Sequence, residues 1–363
     1  MALSNSGVLS DLLNIIEGDV YTDALNRIAY STDASIYSVE PLCVIVPAGL
    51  EDVVTAVRYA HVNEIPIVAR GAASGASGES LCSGIVLDMT GYMNSIVDVE
   101  ENGEFITCQP GAVLDDVNAR LAEYGRMIGP DPSSSNRATV GGCVANNATG
   151  SHSLAYGYMA DYVERIEAVL ADGSVVTFEN EFDPNKHPDE RLSELAGACH
   201  KLLSQREEII KEALPTAQRN SSGYNIAGVL RGKAVDMARL LSGSEGTLAV
   251  FTEITLRSVP IPAAKTLVQL EFDSYEKMAV AVGHVVRAGA VACELMDRVL
   301  LSVAGESLPA YRGVLPSGDD IVVCLWVEFA GNDRVDVDEA AQNAAQKVRS
   351  QAVRSEIIYD QSR

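Results

Sequence analysis

The stretch IVARGAASGASGES, Ile67–Ser80, decides how this chain is read. An apolar, strand-like run ends at Arg70, and glycine, serine and alanine then follow one another with little bulk. Such residues let another molecule approach the main chain closely, and glycine also reaches φ > 0. The amides of such a loop can form a concave anion cradle. The same composition also suits a flexible surface loop. Three ways of gripping a phosphate compete for it. A P-loop needs a lysine and a hydroxyl after its last glycine, and here Glu79 follows Gly78. A dinucleotide fingerprint needs G-x-G-x-x-G opening a helix. Here the glycines are Gly71, Gly75 and Gly78, and strand residues Ile85–Met89 come next. A loop between strands that holds a pyrophosphate by its amides meets neither objection.

That third mechanism needs no lysine, which suits the composition. The chain has 363 residues, of which 27 are Lys or Arg and 50 are Asp or Glu, a formal net charge of −23. Such a field repels a phosphate backbone and an anionic bilayer, so neither nucleic acid nor an acidic membrane surface is an expected partner. Hydrophobic residues make up 47%, so the chain is globular, with room for about two or three domains. Its start, MALSNSGVLSDLLNIIEGDV, lacks the basic region and apolar core of a secretory signal. The late apolar run Ile321–Val327 is too short to span a bilayer. The expectation is a soluble protein with no transmembrane segment, in the cytoplasm or peripheral at the inner membrane. Seven cysteines (Cys43, Cys82, Cys108, Cys143, Cys199, Cys293, Cys324) stand singly, and five histidines (His61, His152, His187, His200, His284) show no HxH or HxxxH spacing. No metal site is read from them. The cysteines fit small buried hydrophobes.

Along the chain, LCVIVP reads as a buried strand and LEDVVTAVRYAHVNEI as an amphipathic helix. SIVDVEENGEFITCQPG is a hairpin turning at Glu101–Gly103, and AVLDDVNARLAEYG a helix with a glycine stop. RIEAVLADGSVVTFE turns at Asp172–Gly173, and a charged helical segment spans roughly Asp189 to Leu214. After Pro260 the order is strand, helix, strand, strand, helix, strand, which matches a split βαβ, ferredoxin-like unit. The expected division is an N-terminal helical segment over 1–36, a domain over 37–260 and a second over 261–363.

Two further small-residue segments, ATVGGCVANNATG and LSGSEGTL, offer the chemistry of the first loop again, and the first two loops could close on one dinucleotide. With ARGAASGASGES, LDMTGYMNSIVDVE, CQPGAVLDDVNARL, GPDPSSSNRATVGGCVANNATG, YGYMADYVERIEAVLADGSVV, SSGYNI and LLSGSEGTLAVFTEITLRSVP, the chain resembles a known superfamily. It is the FAD-linked oxidases and dehydrogenases of the vanillyl-alcohol oxidase/p-cresol methylhydroxylase type. Within it, the chain looks most like the D-lactate, glycolate and D-2-hydroxyglutarate dehydrogenase group. The resemblance covers about Pro41 to Pro262. It implies an α+β fold, with a two-subdomain PCMH-type FAD-binding domain followed by a partial ferredoxin-like substrate (cap) domain.

The resemblance also assigns residues. The main chain over Arg70, Gly71, Ala72, Ala73, Ser74, Gly75, Ser77 and Gly78 would hold the FAD pyrophosphate. Pro132, Ser133 and Ser134 would lie by the flavin, and Thr139, Gly141, Gly142, Asn146 and Ala148 would continue that wall. Gly157, Asp161 and Val163 would approach the adenine, while Glu245 and Gly246 would close the site. Ser74 stands where a flavin-linking histidine often stands, so the FAD is expected to be noncovalent. Tyr224, Asn225 and Arg312 are candidate substrate-side residues, and His152 reads as a supporting or surface residue. The implied reaction takes a hydride from a small 2-hydroxy acid to flavin N5. Electrons then pass to a quinone, an electron-transfer protein or a fused iron–sulfur domain. No H-G-D-G-N-x-H-like catalytic segment occurs before Arg363, so the catalytic residues are unassigned. An N-terminal fragment of a longer enzyme is expected, with any iron–sulfur cluster in a further C-terminal part. An NADPH-fed reductase of the same fold and a non-catalytic FAD module are the alternatives.

Overall fold

A computed structural model describes residues 12–183, 189–215, 220–308, 315, 316, 318 and 320–359. The chain divides into two compact units. One takes the residues up to Ile128, Pro132–Ala148 and Tyr158–Val259; the other takes Gly129–Asp131, Thr149–Gly157 and the residues from Pro260 on.

The first unit holds two sheets. Strands β2 (Cys43–Val46), β3 (Ile67–Arg70) and β4 (Ile85–Asp88) are parallel, and β1 (Asp19–Tyr21) adds antiparallel to β2, in the order β1-β2-β4-β3. β2 and β4 are buried along their whole length, as unbroken apolar runs in a parallel sheet should be. Between β2 and β3 the chain crosses over through helix Leu50–Val62, which buries Val53, Val54, Ala56, Val57 and Ala60. The N-terminal region is therefore not purely helical as expected. Residues 19–21 form the edge strand, with the short helix Ala24–Ala29 behind it.

The second sheet is antiparallel, in the order β5-β6-β9-β7-β8: β5 (Ile96–Val99), β6 (Phe105–Cys108), β7 (Val163–Val169), β8 (Val175–Glu179) and β9 (Val250–Arg257). Gly103 (φ 69°) turns the first hairpin and Gly173 (φ 78°) the second, both in the left-handed region glycine favours. The charged segment forms two helices, Glu190–Ser204 and Glu207–Ala213, and the Asp189 carboxylate caps the first by accepting from Leu192 N–H.

The second unit is the ferredoxin-like unit read from the sequence. β10 (Ala264–Phe272), β11 (Ala292–Asp297), β12 (Val323–Gly331) and β13 (Arg354–Tyr359) form an antiparallel sheet in the order β11-β12-β10-β13. Helices Tyr275–Arg287 and Arg334–Lys347 pack with it through Ala281, Val285, Val337, Ala341 and Ala344. Helix Arg298–Ser307, started by the Asp297 cap, lacks a counterpart in the sequence reading. Among the described residues no helix is long and apolar enough to cross a membrane.

One buried carboxylate ties the start of the described chain to the first sheet. Asp52, 4% exposed, accepts from Glu17 N–H at 2.8 Å, Gly18 N–H at 2.8 Å and Ala48 N–H at 2.8 Å. Backbone donors on a carboxylate make bonds stronger than neutral ones. Asp52→Ala leaves these donors without their acceptor and is expected to lower stability by about 3 kcal/mol, read as a fall in the urea midpoint at unchanged slope.

Candidate functional site

The loop 71–80 leaves the sheet at the carboxyl end of β3, where parallel strands commonly present their ligands. Its shape is fixed from both ends. The Arg70 guanidinium donates to Tyr30 O at 3.2 Å and Thr32 O at 2.8 Å, and lies 5.2 Å from the Tyr30 ring centroid. Burial lowers its pKa. The side chain therefore clamps the N-terminal segment, which leaves main chain to face a ligand. Tyr30 in turn donates to Asp88 Oδ2 at 2.5 Å, and burial with that bond raises the phenol's pKa. At the far end Ser80 Oγ donates to Asp33 Oδ2 at 3.0 Å.

Between these anchors the backbone is bare. Ala73 sits at φ 53°, a strained region for a side-chain-bearing residue, with its carbonyl accepting from Ala34 N–H at 3.0 Å. The N–H groups of Ala72, Ala73, Ser74, Gly75 and Ala76 donate to no acceptor among the described residues, and all but Ala76 are half-buried. Consecutive amides without an acceptor are a donor set that suits an anion. The Ser77 N–H differs, donating to Glu79 Oε2 at 3.1 Å.

The second small-residue segment packs against the first. A Cβ on Gly71 would stand 2.2 Å from Thr139 Oγ1, and the Asn146 side-chain amide donates to Glu79 Oε1 at 2.6 Å. The amides of Gly141, Gly142, Asn146 and Ala148, however, are engaged, contrary to the expectation that they are free. Thr139 caps the helix Val140–Ala145, accepting from Gly142 N–H at 3.3 Å, and Gly141 N–H donates to Pro110 O at 2.8 Å. Asn146 N–H goes to Gly142 O and Ala148 N–H to Cys143 O. A Cβ on Gly141 would meet Pro110 Cβ at 2.6 Å and Pro110 O at 2.9 Å. Close packing thus accounts for that glycine.

The third segment closes the same helix. Gly243 N–H donates to Val144 O at 3.0 Å and Glu245 N–H to Ala145 O at 2.9 Å, with Gly243, Glu245 and Gly246 all at positive φ. Tyr224 and Asn225 come to this turn. Tyr224 shares a 3.0 Å hydrogen bond with Thr247 Oγ1, and Asn225 Cβ lies 3.8 Å from where a Gly243 Cβ would stand. Asn225 Nδ2 and Ser244 Oγ are buried without partners.

The remaining expected residues divide. Pro132–Ser134 form the turn into the Thr139 cap, with Ser134 O accepting from Ala138 N–H at 2.7 Å. The Asp161 carboxylate is engaged by Arg239 at 2.8 Å, and Val163 is buried at the start of β7. Gly157 falls in the second unit. Arg312 lies outside the described residues. Cys43, Cys108, Cys143 and Cys324 are buried as expected, whereas Cys82, Cys199 and Cys293 are partly exposed. Burial raises the Cys108 and Cys143 thiols to about 12, which leaves them protonated and unreactive near neutrality.

The sequence reading missed a charged cluster inside the second unit. His152 Nδ1 is 2.6 Å from Asp131 Oδ2, and Asp131 Oδ1 accepts from His152 N–H at 3.1 Å. His152 Nε2 is 3.1 Å from Glu328 Oε1 on β12, which also pairs with Lys265 on β10 at 3.0 Å. Its ring is tilted against Tyr156, centroids 6.2 Å apart. His152 is therefore a clasp holding 129–131 and 149–157 to this sheet rather than a surface residue. Its bonds to Asp131 and then Glu328 raise its pKa to about 9. Burial pushes Glu328 up, but its bonds with His152 and Lys265 outweigh that and hold its carboxyl low.

Comparisons with known proteins accord with this arrangement. Residues 41–179 match the family described as FAD binding domain, and residues 261–363 the one described as FAD linked oxidases, C-terminal domain. D-2-hydroxyglutarate dehydrogenase of Escherichia coli (strain K12) is 30% identical, over 92% of this chain and 35% of its own length. Glycolate oxidase subunit GlcD of the same organism is 28% identical, over 82% of this chain and 50% of its own. D-lactate dehydrogenase [cytochrome] 1, mitochondrial, of Saccharomyces cerevisiae is 26% identical, over 79% and 40%. The chain thus spans about a third to a half of the length of these curated relatives. Two structures of alkyldihydroxyacetonephosphate synthase share its fold, with TM-scores of 0.69 and 0.67 at 20% identity. They cover 99% and 97% of this chain and 61% of theirs.

Two outcomes test the geometry. Gly141→Ala, which meets the Pro110 backbone, is expected to destabilise the protein by about 2 kcal/mol. Gly142→Ala, whose added carbon meets only Thr139 Oγ1 at 3.3 Å, should cost well under half of that, both read by chemical denaturation. The His152 clasp is a raised-pKa group, so its stabilisation is full below the ordinary histidine value of about 6.5 and is lost as pH rises. The melting temperature should fall between pH 6.5 and the folded value of about 9, and His152→Gln should flatten that slope.

Proposed function

The chain belongs to the FAD-linked oxidases, and on that premise we propose that it binds FAD noncovalently for the oxidation of a D-2-hydroxy acid to its 2-oxo acid. The acid is of the lactate, glycolate or 2-hydroxyglutarate type, and the electrons pass on to a separate acceptor. The observation that carries this reading is the run of unsatisfied amides over Ala72–Ala76, placed inside the matched FAD binding domain at the end of β3. The names of the relatives support the substrate class, since each acts on, or is named for, a small hydroxy acid or its oxidation.

FAD, when bound, supplies a hydride acceptor. The chain's own part is to hold and orient it. The amides of the first loop would receive the diphosphate, because Arg70 is held by Tyr30 and Thr32 and so offers the loop no free cation. The Thr139–Ala148 segment would form a wall of small residues, rigid because Thr139 caps its helix at one end and the Gly243–Gly246 turn covers the other. The unpartnered Asn225 Nδ2 beside that turn is a donor suited to an oxygen of the bound cofactor or substrate. Ser74 has no imidazole to form a flavin bond, so denaturation releases the cofactor intact. The acceptor is a quinone, an electron-transfer protein or an iron–sulfur domain.

Refolded with excess FAD, the protein should take up about one flavin per chain, and acid precipitation should leave that flavin in the supernatant. Anaerobic addition of D-2-hydroxyglutarate, D-lactate or glycolate should then bleach its absorbance. A colourless preparation overturns the flavin reading. Bleaching by NADPH and by none of the acids moves the chemistry to a reductase, and bleaching by neither leaves a flavin-carrying module.

A further inference from the structure

Gly75 is the central glycine of the first loop, yet the hollow above it already holds something. A Cβ on Gly75 would stand 1.5 Å from Glu79 Oε1 and 2.5 Å from Glu79 Cδ. The carboxylate is therefore seated where the side chain of residue 75 would be. It is held there by two donors, Ser77 N–H on Oε2 at 3.1 Å and the Asn146 side-chain amide on Oε1 at 2.6 Å. One donor belongs to the first small-residue loop and the other to the second. An anion thus sits across the seam between them, beside a run of amides that have no acceptor. No Lys or Arg side chain among the described residues pairs with it within salt-bridge distance.

From this we propose that Glu79 is a resident anion of the loop, exchanged for the diphosphate when the dinucleotide enters. The inference rests on the flavin reading above. It adds that cofactor entry displaces an internal carboxylate, so Glu79 is a positioning residue that opposes binding while holding the empty loop in shape. The physical reason is charge: the carboxylate seated at Gly75 lies beside the amides that would receive the diphosphate, and two anions at that distance repel strongly. The two hydrogen bonds keep the loops joined until the second anion replaces the first.

The test titrates FAD, inorganic pyrophosphate and riboflavin, by calorimetry or flavin fluorescence, into wild type, Glu79→Gln and Glu79→Ala. Glu79→Gln keeps an oxygen for the Ser77 N–H and removes the charge. Both variants should bind FAD and pyrophosphate about tenfold more tightly than wild type, and the gain should shrink as salt is raised. Riboflavin, which carries no phosphate, should bind equally to all three proteins. Wild type binding FAD with Glu79→Gln no tighter overturns the exchange. So does a loss of riboflavin, FAD and pyrophosphate binding together, the mark of a loop that has only lost its shape. If wild type takes up no FAD, the flavin reading fails by itself. The pyrophosphate titration still decides the exchange, a tighter Glu79→Gln supporting it and an equal one overturning it.

Discussion

A peptide amide fully buried without an acceptor costs about 1–3 kcal/mol, and a half-buried one carries a part of that penalty. The chain carries a run of half-buried ones over Ala72–Gly75, and much of the first unit holds that run in place. In a protein of net charge −23 backbone dipoles suit an anion, because the chain as a whole has no surplus of cations to attract one. Arg70 stands next to the loop but faces Tyr30 and Thr32. Its contribution is mechanical: it fixes where β3 ends and the bare backbone begins. Ser80 and Asp33 do the same at the other end of the loop.

This constraint explains why the parallel sheet matters more than its size suggests. β3 is an edge strand of four residues, and its register against β4 sets the direction in which the loop emerges. The helix Leu50–Val62 pins that sheet from one side, and its Asp52 draws the chain at Glu17 and Gly18 onto it. The N-terminal segment is thus tied to the sheet twice, once through Asp52 and once through the carbonyls of Tyr30 and Thr32.

Much of this was legible in the sequence, and for identifiable reasons. Apolar runs such as CVIV and IVLD are buried along their whole length, so their composition marks strands, and the structure adds that they pair in parallel. The strand-helix-strand order after Pro260 has one natural antiparallel solution, and the sheet order β11-β12-β10-β13 is that solution. What stayed hidden depends on contacts between residues far apart in the chain. Nothing near Glu79 announces Asn146, 67 positions away, and nothing near His152 announces Glu328, 176 away. Strand Asp19–Tyr21 was hidden because three residues carry too little periodicity to separate strand from turn.

Glycine shows most clearly where composition stops being informative. The three loops look alike on paper, yet their glycines answer to different physics. Gly71 and Gly141 admit the side chains of Thr139 and Pro110, Gly78 and Gly246 supply positive φ, and Gly75 admits a carboxylate. Among the described residues the first loop keeps five consecutive amides, Ala72–Ala76, free of protein acceptors, whereas Gly141 and Gly142 have given theirs to Pro110 and Thr139. A small residue therefore marks a place where something approaches closely, and the hydrogen-bond partners decide whether that is another part of the chain or a ligand. By that criterion the first loop is the one proposed for a ligand and the other two pack around it, so the carboxylate of Glu79, seated at Gly75, lies where the proposed exchange would act.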